Sequence, residues 1–257
     1  MSVLTAIDGP CAIVTLDWPE KRNALGPAEA GEFADALRSV AGNGDVRGVV
    51  VTGNGAFCAG GDINGMVARA DMPAEERRRL VYSAFQGVIR TLIGLPVPTF
   101  AAVDGPAVGM GFDIALACDA RIIGPGGWFR QGWAGLGLIP GTGGELMLRL
   151  RSPSALWQVI PGQPKVDAAR AASLGLGEPS GPDFTGARDA AVARVHQLGN
   201  SSRATVEAYV RLNRSALRAL LEEHLADCLA IQVGLLSDPA FRNRASAAIR
   251  TGAKDSS

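Results

Sequence analysis

The sequence lacks an excess of charge of either sign, a long apolar run and a basic N-terminus. Its 25 Lys and Arg residues balance 25 Asp and Glu residues, so no basic field is available to gather nucleic-acid phosphates. The longest stretches without a charged residue, 48–61 and 131–144, have 14 residues each, fewer than the roughly 20 that span a bilayer. The first positive side chain is Lys21, so no secretory signal is predicted. We therefore expect a cytoplasmic protein that binds neither nucleic acid nor membrane.

Motifs for several catalytic chemistries are also missing. The four cysteines are far apart without a CxxC pair, and the two histidines are too distant for an HExxH motif, so we predict neither a disulfide nor a metal site. No lysine follows a glycine, which excludes a GxxxxGK[ST] phosphate loop, and no serine stands in a GxSxG motif. A hydrophobic content of 47% in 257 residues instead indicates a compact folded body.

Hydrophobic periodicity divides the chain into two parts. In the first part, short β-rich runs alternate with glycine turns and helical stretches, whereas the second part is almost entirely helical. The predicted strands are 11–16, 46–52, 99–103, 120–123 and 128–130, and the predicted helices are 27–40, 74–93, 187–198, 204–236 and 239–249. We therefore predict an α/β core over residues 1–195 and a helical region over 196–257. The arginines at 77–79 are interpreted as a solvated helix face.

Two segments of the first part run from an apolar strand directly into a glycine-rich turn. VVVTGNGAFCAGGD occupies residues 49–62, and FAAVDGPAVGMGFDIALACD occupies residues 100–119. Glycine-rich turns leave backbone N–H groups accessible to a ligand. A helix is predicted to open at Gly109-Met110-Gly111, which makes the Met110 N–H an unpaired donor at a positive helix end. Such donors suit a developing oxyanion, although either loop alone is also typical of an ordinary tight turn.

Five segments of the chain form an ordered set of motifs: WPEKRNAL at 18–25, FCAGGD at 57–62, AAVDG at 101–105 leading into the Gly109 helix, GLIPGTGG at 137–144 and a weaker match at 168–176. Taken together, they resemble the enoyl-CoA hydratase/isomerase, or crotonase, superfamily. The resemblance implies a spiral of ββα units capped by C-terminal helices that form a homotrimer or a dimer of trimers. It also implies enolate chemistry on an acyl-CoA thioester. Coenzyme A then enters as part of the substrate, with no separate cofactor and no metal.

The same resemblance assigns roles to individual residues. It implies that the backbone N–H groups of Ala59 and Met110 bind the thioester oxygen. The residues that it implies in contacts with coenzyme A come from the first two segments: Lys21, Arg22, Ala24, Gly60, Asp62 and Ile63. Lys21 and Arg22 are also interpretable as solvated loop charges. Asp62 is also interpretable as a cap for the turn that follows it.

The general acid/base groups are where the sequence departs from the family pattern. Family hydratases use two glutamates, whose positions match Asp113 and Trp133 here. Asp113 follows Met110 by three residues, so a helix places both on one face and the carboxylate can approach the substrate. Aspartate is one methylene shorter than glutamate, so a buried and merely satisfied carboxylate is the alternative. Trp133 is expected to form a wall of the acyl pocket. Glu145 becomes a second carboxylate only if it turns inward.

These observations predict an acyl-CoA enzyme with hydratase-like lyase or isomerase chemistry and Asp113 as the single acid/base group. Isomerisation or decarboxylation asks less of a site with one carboxylate than hydration does. Two alternatives stay open. One is a non-catalytic acyl-CoA-binding homologue, and the other is a thioester hydrolase, for which the sequence offers no evident water-activating group.

Overall fold

The structure is a computed structural model that describes residues 2–79 and 83–254, with side chains through residue 250. In chain order its strands are β1 (Ser2–Asp8), β2 (Cys11–Asp17), β3 (Gly48–Gly53), β4 (Thr99–Val103), β5 (Pro106–Val108), β6 (Ala120–Ile123), β7 (Trp128–Arg130), β8 (Val166–Asp167) and β9 (Glu178–Pro179). Its helices are α1 (Pro27–Ala41), α2 (Ile63–Ala68), α3 (Ala74–Arg77), α4 (Ser83–Gly94), α5 (Met110–Ala117), α6 (Gly144–Arg151), α7 (Leu156–Val159), α8 (Ala168–Ser173), α9 (Ala187–Leu198), α10 (Arg203–Asn213), α11 (Ser215–Leu236) and α12 (Pro239–Lys254).

The larger sheet has the strand order β1-β2-β3-β4-β6-β9. β1 pairs antiparallel with β2, and the other neighbouring strands of this sheet pair parallel. The valine run of β3 serves both faces: Val49 and Val51 enter the main core, and Val50 enters a second core on the opposite face, as the two-residue period of a strand requires. Because β3 and β4 are adjacent and parallel, the glycine turns that follow them lie at the same edge.

Helices cover both faces of this sheet. Phe33 and Leu37 of α1 and Ile89 and Leu92 of α4 are fully buried in the main core, and burying each such side chain contributes roughly 1.5–3 kcal/mol. On the other face, α9 packs against β3, β4 and β6. The predicted boundary between residues 195 and 196 therefore falls inside α9, where Val195 is part of the second core.

The central helix α5 is apolar on every side, and all eight of its residues are buried, as expected of a helix inside a core. Its one charged residue is Asp113. The small sheet, with the strand order β5-β7-β8, lies beside the start of α5. From the C-terminal region, α11 contacts α6, and α12 contacts both α2 and the short 3-10 turn Ala134–Leu136.

Most predicted elements are present, with the same bounds for the strands at 99–103, 120–123 and 128–130 and for helix 187–198. β1 was not predicted, because it is a largely exposed edge strand without a buried face. The predicted helix 204–236 is divided at Arg214, whose buried guanidinium donates to backbone carbonyls of residues 93, 95 and 97.

The predicted helix 74–93 crosses residues 80–82, which lie outside the described residues. On either side of them the chain forms α3 and α4. The interpretation of residues 77–79 as a solvated face is wrong for Arg77, which is 5% exposed, whereas Arg78 and Arg79 are exposed. Within the described part of the chain, the helices fall short of the length and apolarity needed to cross a membrane.

Candidate active site

The two glycine-rich loops lie side by side and are joined by backbone hydrogen bonds. The Cys58 N–H donates to the Pro106 carbonyl at 3.0 Å, and the Val108 N–H donates to the Cys58 carbonyl at 3.0 Å. A Cβ added to Gly111 would lie 2.0 Å from the Cys58 carbonyl oxygen. The first turn of α5 can therefore approach the loop this closely only because residue 111 has no side chain.

Two backbone donors face the gap between these loops. The Met110 nitrogen, at the first residue of α5, lies 3.4 Å from the position of a Cβ on Gly60, whose φ is +101°. The N–H groups of Met110 and Gly61 have no hydrogen-bond acceptor among the described residues. The Gly61 N–H stays free although the backbone around it is fixed, since Leu25 donates to the Gly60 carbonyl and accepts from the Asp62 N–H. Both donors are available to an oxyanion.

The expected role of Ala59 as an oxyanion donor is corrected by this geometry. Its N–H donates to the Arg22 carbonyl at 2.9 Å, because the segment that contains Arg22 runs alongside the glycine loop. The loop does supply a donor next to Met110, but that donor is Gly61. Ala59 instead lines the open cleft beside it.

Asn23 fixes the segment that contains Arg22. No role was predicted for this asparagine from the sequence. Asn23 is fully buried; its side chain accepts from the Trp18 N–H at 2.7 Å and donates to the Ala56 carbonyl at 2.7 Å. Arg22 and Asn23 have φ values of +53° and +57°, in the left-handed region that asparagine tolerates better than most residues. Asparagine after Arg22 was the available sequence signal for this turn.

The residues expected to contact coenzyme A surround the same loop, but they differ in where they point. Gly60 and Ile63 line the open cleft. Lys21 forms an ion pair with Glu29 and lies 5.4 Å from the Trp18 ring, while Arg22 and Ala24 lie on the adjoining turn.

Asp62 precedes α2, yet its side chain makes no capping hydrogen bond. The cap interpretation of Asp62 is therefore wrong.

Two cavities meet at the pair of free donors. An inner cavity of about 40 Å³ and an outer, more open cleft of about 300 Å³ share the lining residues Gly61, Met66, Met110 and Trp133. Trp133 thus forms a wall of both. The inner cavity has room for about three water-sized spheres, at roughly 10–15 Å³ each. The two residues that carry the free N–H groups, Gly61 and Met110, therefore border both the cleft and the cavity.

Asp113 lies directly behind the inner cavity. Its carboxylate oxygen Oδ2 accepts from the Trp133 indole N–H at 3.0 Å and from the Thr142 hydroxyl at 2.6 Å. Burial raises the pKa of Asp113 to about 7, while the two hydrogen bonds act in the opposite direction. Asp113 is 2% exposed and lines neither cavity, whereas Thr142 and Trp133 do. Asp113 therefore does not border either cavity itself, whereas its hydrogen-bond donor Thr142 borders the inner one.

Glu145 does not turn inward. One of its carboxylate oxygens accepts from Arg149 at 3.1 Å, and the other lies 3.5 Å from Nε2 of His224. It lines neither the inner cavity nor the outer cleft. As the second residue of α6, it is held by the side chain one turn further along the helix. Glu145 is consequently not a second carboxylate of this site.

Four polar side chains of the inner cavity were not predicted from the sequence: Thr142, Arg69, Arg77 and Gln232. Thr142 stands in the GLIPGTGG motif, where a hydroxyl among glycines was the available signal. No local signal separated Arg77 from the two arginines that follow it. Among the described residues, no three His, Cys, Asp or Glu side chains cluster so as to hold a metal ion, and all four cysteines are buried and unpaired.

Comparisons with known proteins place this chain in a family. The profile of the enoyl-CoA hydratase/isomerase family matches residues 7–249. Probable enoyl-CoA hydratase echA14 of Mycobacterium tuberculosis is 40% identical over 148 residues, which are 57% of this chain and 56% of that protein. Crotonyl-CoA hydratase of Syntrophomonas wolfei is 34% identical over 168 residues, 64% of this chain and 63% of that protein. The matches thus span less than two thirds of either relative.

A solved structure extends the likeness to nearly the whole chain. The crystal structure of an enoyl-CoA hydratase from Mycobacterium avium superimposes with a TM-score of 0.83 at 26% identity, and covers 97% of this chain and 96% of that one. The chain belongs to the enoyl-CoA hydratase/isomerase family. The predicted superfamily and its α/β fold with a helical C-terminal region are confirmed.

Proposed function

We propose that this protein is an acyl-CoA enzyme that stabilises a thioester enolate and catalyses hydratase or isomerase chemistry. The observation that carries the proposal is the pair of free backbone donors, Gly61 and Met110, where the outer cleft meets the inner cavity. Coenzyme A would occupy the cleft, the thioester oxygen would accept from both donors, and the acyl group would enter the cavity. An oxyanion donor of this kind typically contributes roughly 3–4 kcal/mol to transition-state stabilisation.

Proton transfer is assigned to Asp113 acting through Thr142. The Thr142 hydroxyl lines the inner cavity and already donates to Asp113. In isomerisation, Thr142 accepts a proton from the α-carbon while its own proton passes to Asp113, and the reverse transfer protonates the γ-carbon. In hydration, the same path takes a proton from the water that attacks the β-carbon and returns it to the α-carbon. A carboxyl group with a pKa of about 7 suits both directions near neutral pH.

A non-catalytic acyl-CoA-binding protein is the second candidate. It is favoured by one observation: within the described residues, neither cavity is lined by an Asp or Glu side chain. Such a protein would keep the cleft and the donors without moving a proton. The two candidates therefore differ in exchange at the α-carbon, and both require binding of the thioester.

The test is deuterium incorporation at the α-carbon of butyryl-CoA in heavy water, together with turnover of crotonyl-CoA. Met110→Pro removes one donor at the first position of α5, where proline is compatible with a helix. Met110→Ala is the matched control, because it changes the side chain and keeps the N–H. We expect Met110→Pro to lower exchange roughly 100- to 1,000-fold and Met110→Ala to keep most of it. Binding without exchange or turnover in the unmodified protein would contradict catalysis and support the second candidate.

Self-association through the C-terminal helices is also proposed. Large apolar side chains are exposed there, with Tyr209 72%, Leu212 68% and Ile231 54% exposed. Apolar groups exposed on adjoining helices are typical of an interface between copies of a chain. Sedimentation equilibrium should give a trimer or hexamer, and Leu212→Glu should shift it toward monomer. A monomer at micromolar concentration would contradict this proposal.

A further inference from the structure

The inner cavity contains a buried cation that the reaction described above does not use. Arg77 is 5% exposed and lines the cavity; one of its terminal nitrogens donates to the Ala70 carbonyl at 2.7 Å, and the other reaches the Ser237 hydroxyl at 3.4 Å. Its Nε is buried without an acceptor in the described part of the chain. Neither of the two partners that Arg77 does have carries a negative charge.

A second guanidinium lines the same cavity. Nε and Nη2 of Arg69 are buried and lack acceptors among the described residues. Asp62 lies near, since its Oδ2 and the Arg69 Nη1 would both touch a Cβ added to Gly65, but the two residues do not form an ion pair. Asp71, which stands between the two arginines in the sequence, is paired with Arg242. Among described side chains, no carboxylate lies within 4 Å of Arg69 or Arg77.

The buried guanidinium of Arg77 and the partly buried one of Arg69 have no carboxylate of the described residues within ion-pair distance, an arrangement that an anionic ligand would stabilise. An anion in the inner cavity would be close to both arginines, and Gly61 and Met110 line the same cavity. A volume of about 40 Å³ has room for only a short chain that ends in a carboxylate, and the phosphates of coenzyme A would lie in the outer cleft in the proposed binding mode. Guanidinium groups bind carboxylates through short, charge-assisted hydrogen bonds.

We propose that the acyl group of the substrate carries a second carboxylate, which binds Arg77 with support from Arg69. The ligand class is the short dicarboxylic acyl-CoA thioesters, of about three to five acyl carbons. This inference rests on the proposed function, because it assumes that the thioester oxygen lies at Gly61 and Met110. It adds that specificity is set by the charge of Arg77 and Arg69 in the cavity lining, and not by chain length alone.

The experiment is equilibrium binding of paired thioesters to the full-length protein by titration calorimetry. Malonyl-, succinyl- and glutaryl-CoA are compared with propionyl-, butyryl- and valeryl-CoA, so that each pair has the same number of carbons. We expect the best dicarboxylic ligand to bind roughly tenfold to a hundredfold more tightly than its partner. Arg77→Gln should remove most of that preference while leaving the affinity for butyryl-CoA within a few-fold.

Arg78→Gln is the matched control, because Arg78 is exposed, adjacent in sequence and of the same charge. It should keep the full preference, which excludes a general attraction between a cationic surface and a more anionic ligand. Equal or weaker binding of every dicarboxylic ligand to the unmodified protein would overturn the inference without any variant, and would leave the proposed function intact if butyryl-CoA still binds and exchanges. Failure of all six thioesters to bind would overturn both. A dicarboxylic preference without exchange would uphold this inference and remove the catalytic proposal.

Discussion

The buried Asp113 and the partly buried Asp119, six residues apart, lie in opposite electrostatic surroundings. Burial raises the pKa of Asp113 to about 7, and its hydrogen-bond donors, Thr142 and Trp133, are both neutral. Burial also acts on Asp119, but there the bonds from the Arg214 guanidinium and from Thr99 outweigh it and hold the pKa below its ordinary value. Neutral donors satisfy a carboxylate geometrically without compensating its charge.

The difference separates a structural carboxylate from one that can titrate. The Asp119–Arg214 pair ties the junction of α10 and α11 to the sheet, and the lowered pKa of Asp119 keeps its carboxylate ionised near neutral pH. Asp113 can gain or lose a proton near pH 7, and a hydroxyl connects it to a cavity. Perturbed carboxyl groups beside cavities are typical of functional sites. Substitutions at the two positions should therefore have opposite effects.

The largest change in the free energy of unfolding is expected when Asp119 loses its charge. Asp119→Asn leaves the buried Arg214 without a counter-charge, which should lower the free energy of unfolding by about 3–5 kcal/mol. Urea unfolding measures it. Asp35→Asn is the control, because the Asp35–Arg38 pair is exposed and its loss should cost under about 0.5 kcal/mol. A comparable loss in both variants would mean that burial of the pair does not matter.

Asp113→Asn should do the reverse and stabilise the fold at high pH. The pKa of Asp113 is near 3.8 in the unfolded chain and is raised to about 7 in the folded protein. The protonated carboxyl therefore contributes its full stability below pH 3.8, and this contribution is lost as the pH rises to about 7. The asparagine oxygen can still accept from Thr142 and Trp133 and carries no charge. Its advantage over the unmodified protein should grow from pH 4 to 7 and reach about 2–4 kcal/mol at pH 8. A difference that is independent of pH would contradict the raised pKa.

Thr142→Val tests whether the Thr142 hydroxyl transfers protons between Asp113 and the inner cavity. This change keeps the shape and removes the hydroxyl, so α-proton exchange should fall roughly 100-fold, as for loss of a general acid/base group. Thr142→Ser restores the hydroxyl and should keep most of the rate. Mass spectrometry of the recovered thioester measures both variants. Equal rates for valine and serine would show that Thr142 does not carry the proton.

The smallest expected effect is that of Trp133→Phe on the pKa of Asp113. It removes one neutral donor, worth about 1 kcal/mol, so the pKa should rise and the pH at half-maximal exchange should move upward. The pH dependence of the exchange rate measures this shift. Movement to lower pH would mean that the indole N–H does not stabilise the ionised form.

The sequence was sufficient for most of the fold and for part of the site. Strand and helix periods predicted the parallel core, and the glycine loops predicted the donor at Met110, because these features depend on local spacing. The second donor was assigned to Ala59 instead of Gly61. The Ala59 N–H donates to the Arg22 carbonyl, and local spacing does not reveal this contact because the two residues belong to different segments. The burial of Arg77, unlike that of Arg78, likewise depends on packing against residues distant in sequence.

Whether Asp113 is the proton acceptor of an enolate-forming site is tested most directly by the pH dependence of α-deuterium exchange. The unmodified protein should exchange about tenfold faster per pH unit below pH 7 and level off above it, since only the ionised carboxyl accepts a proton. Asp113→Asn should remove the exchange at every pH and leave acyl-CoA binding in place. Exchange that persists in Asp113→Asn, or that is constant from pH 5 to 9, would show that Asp113 is not the proton acceptor.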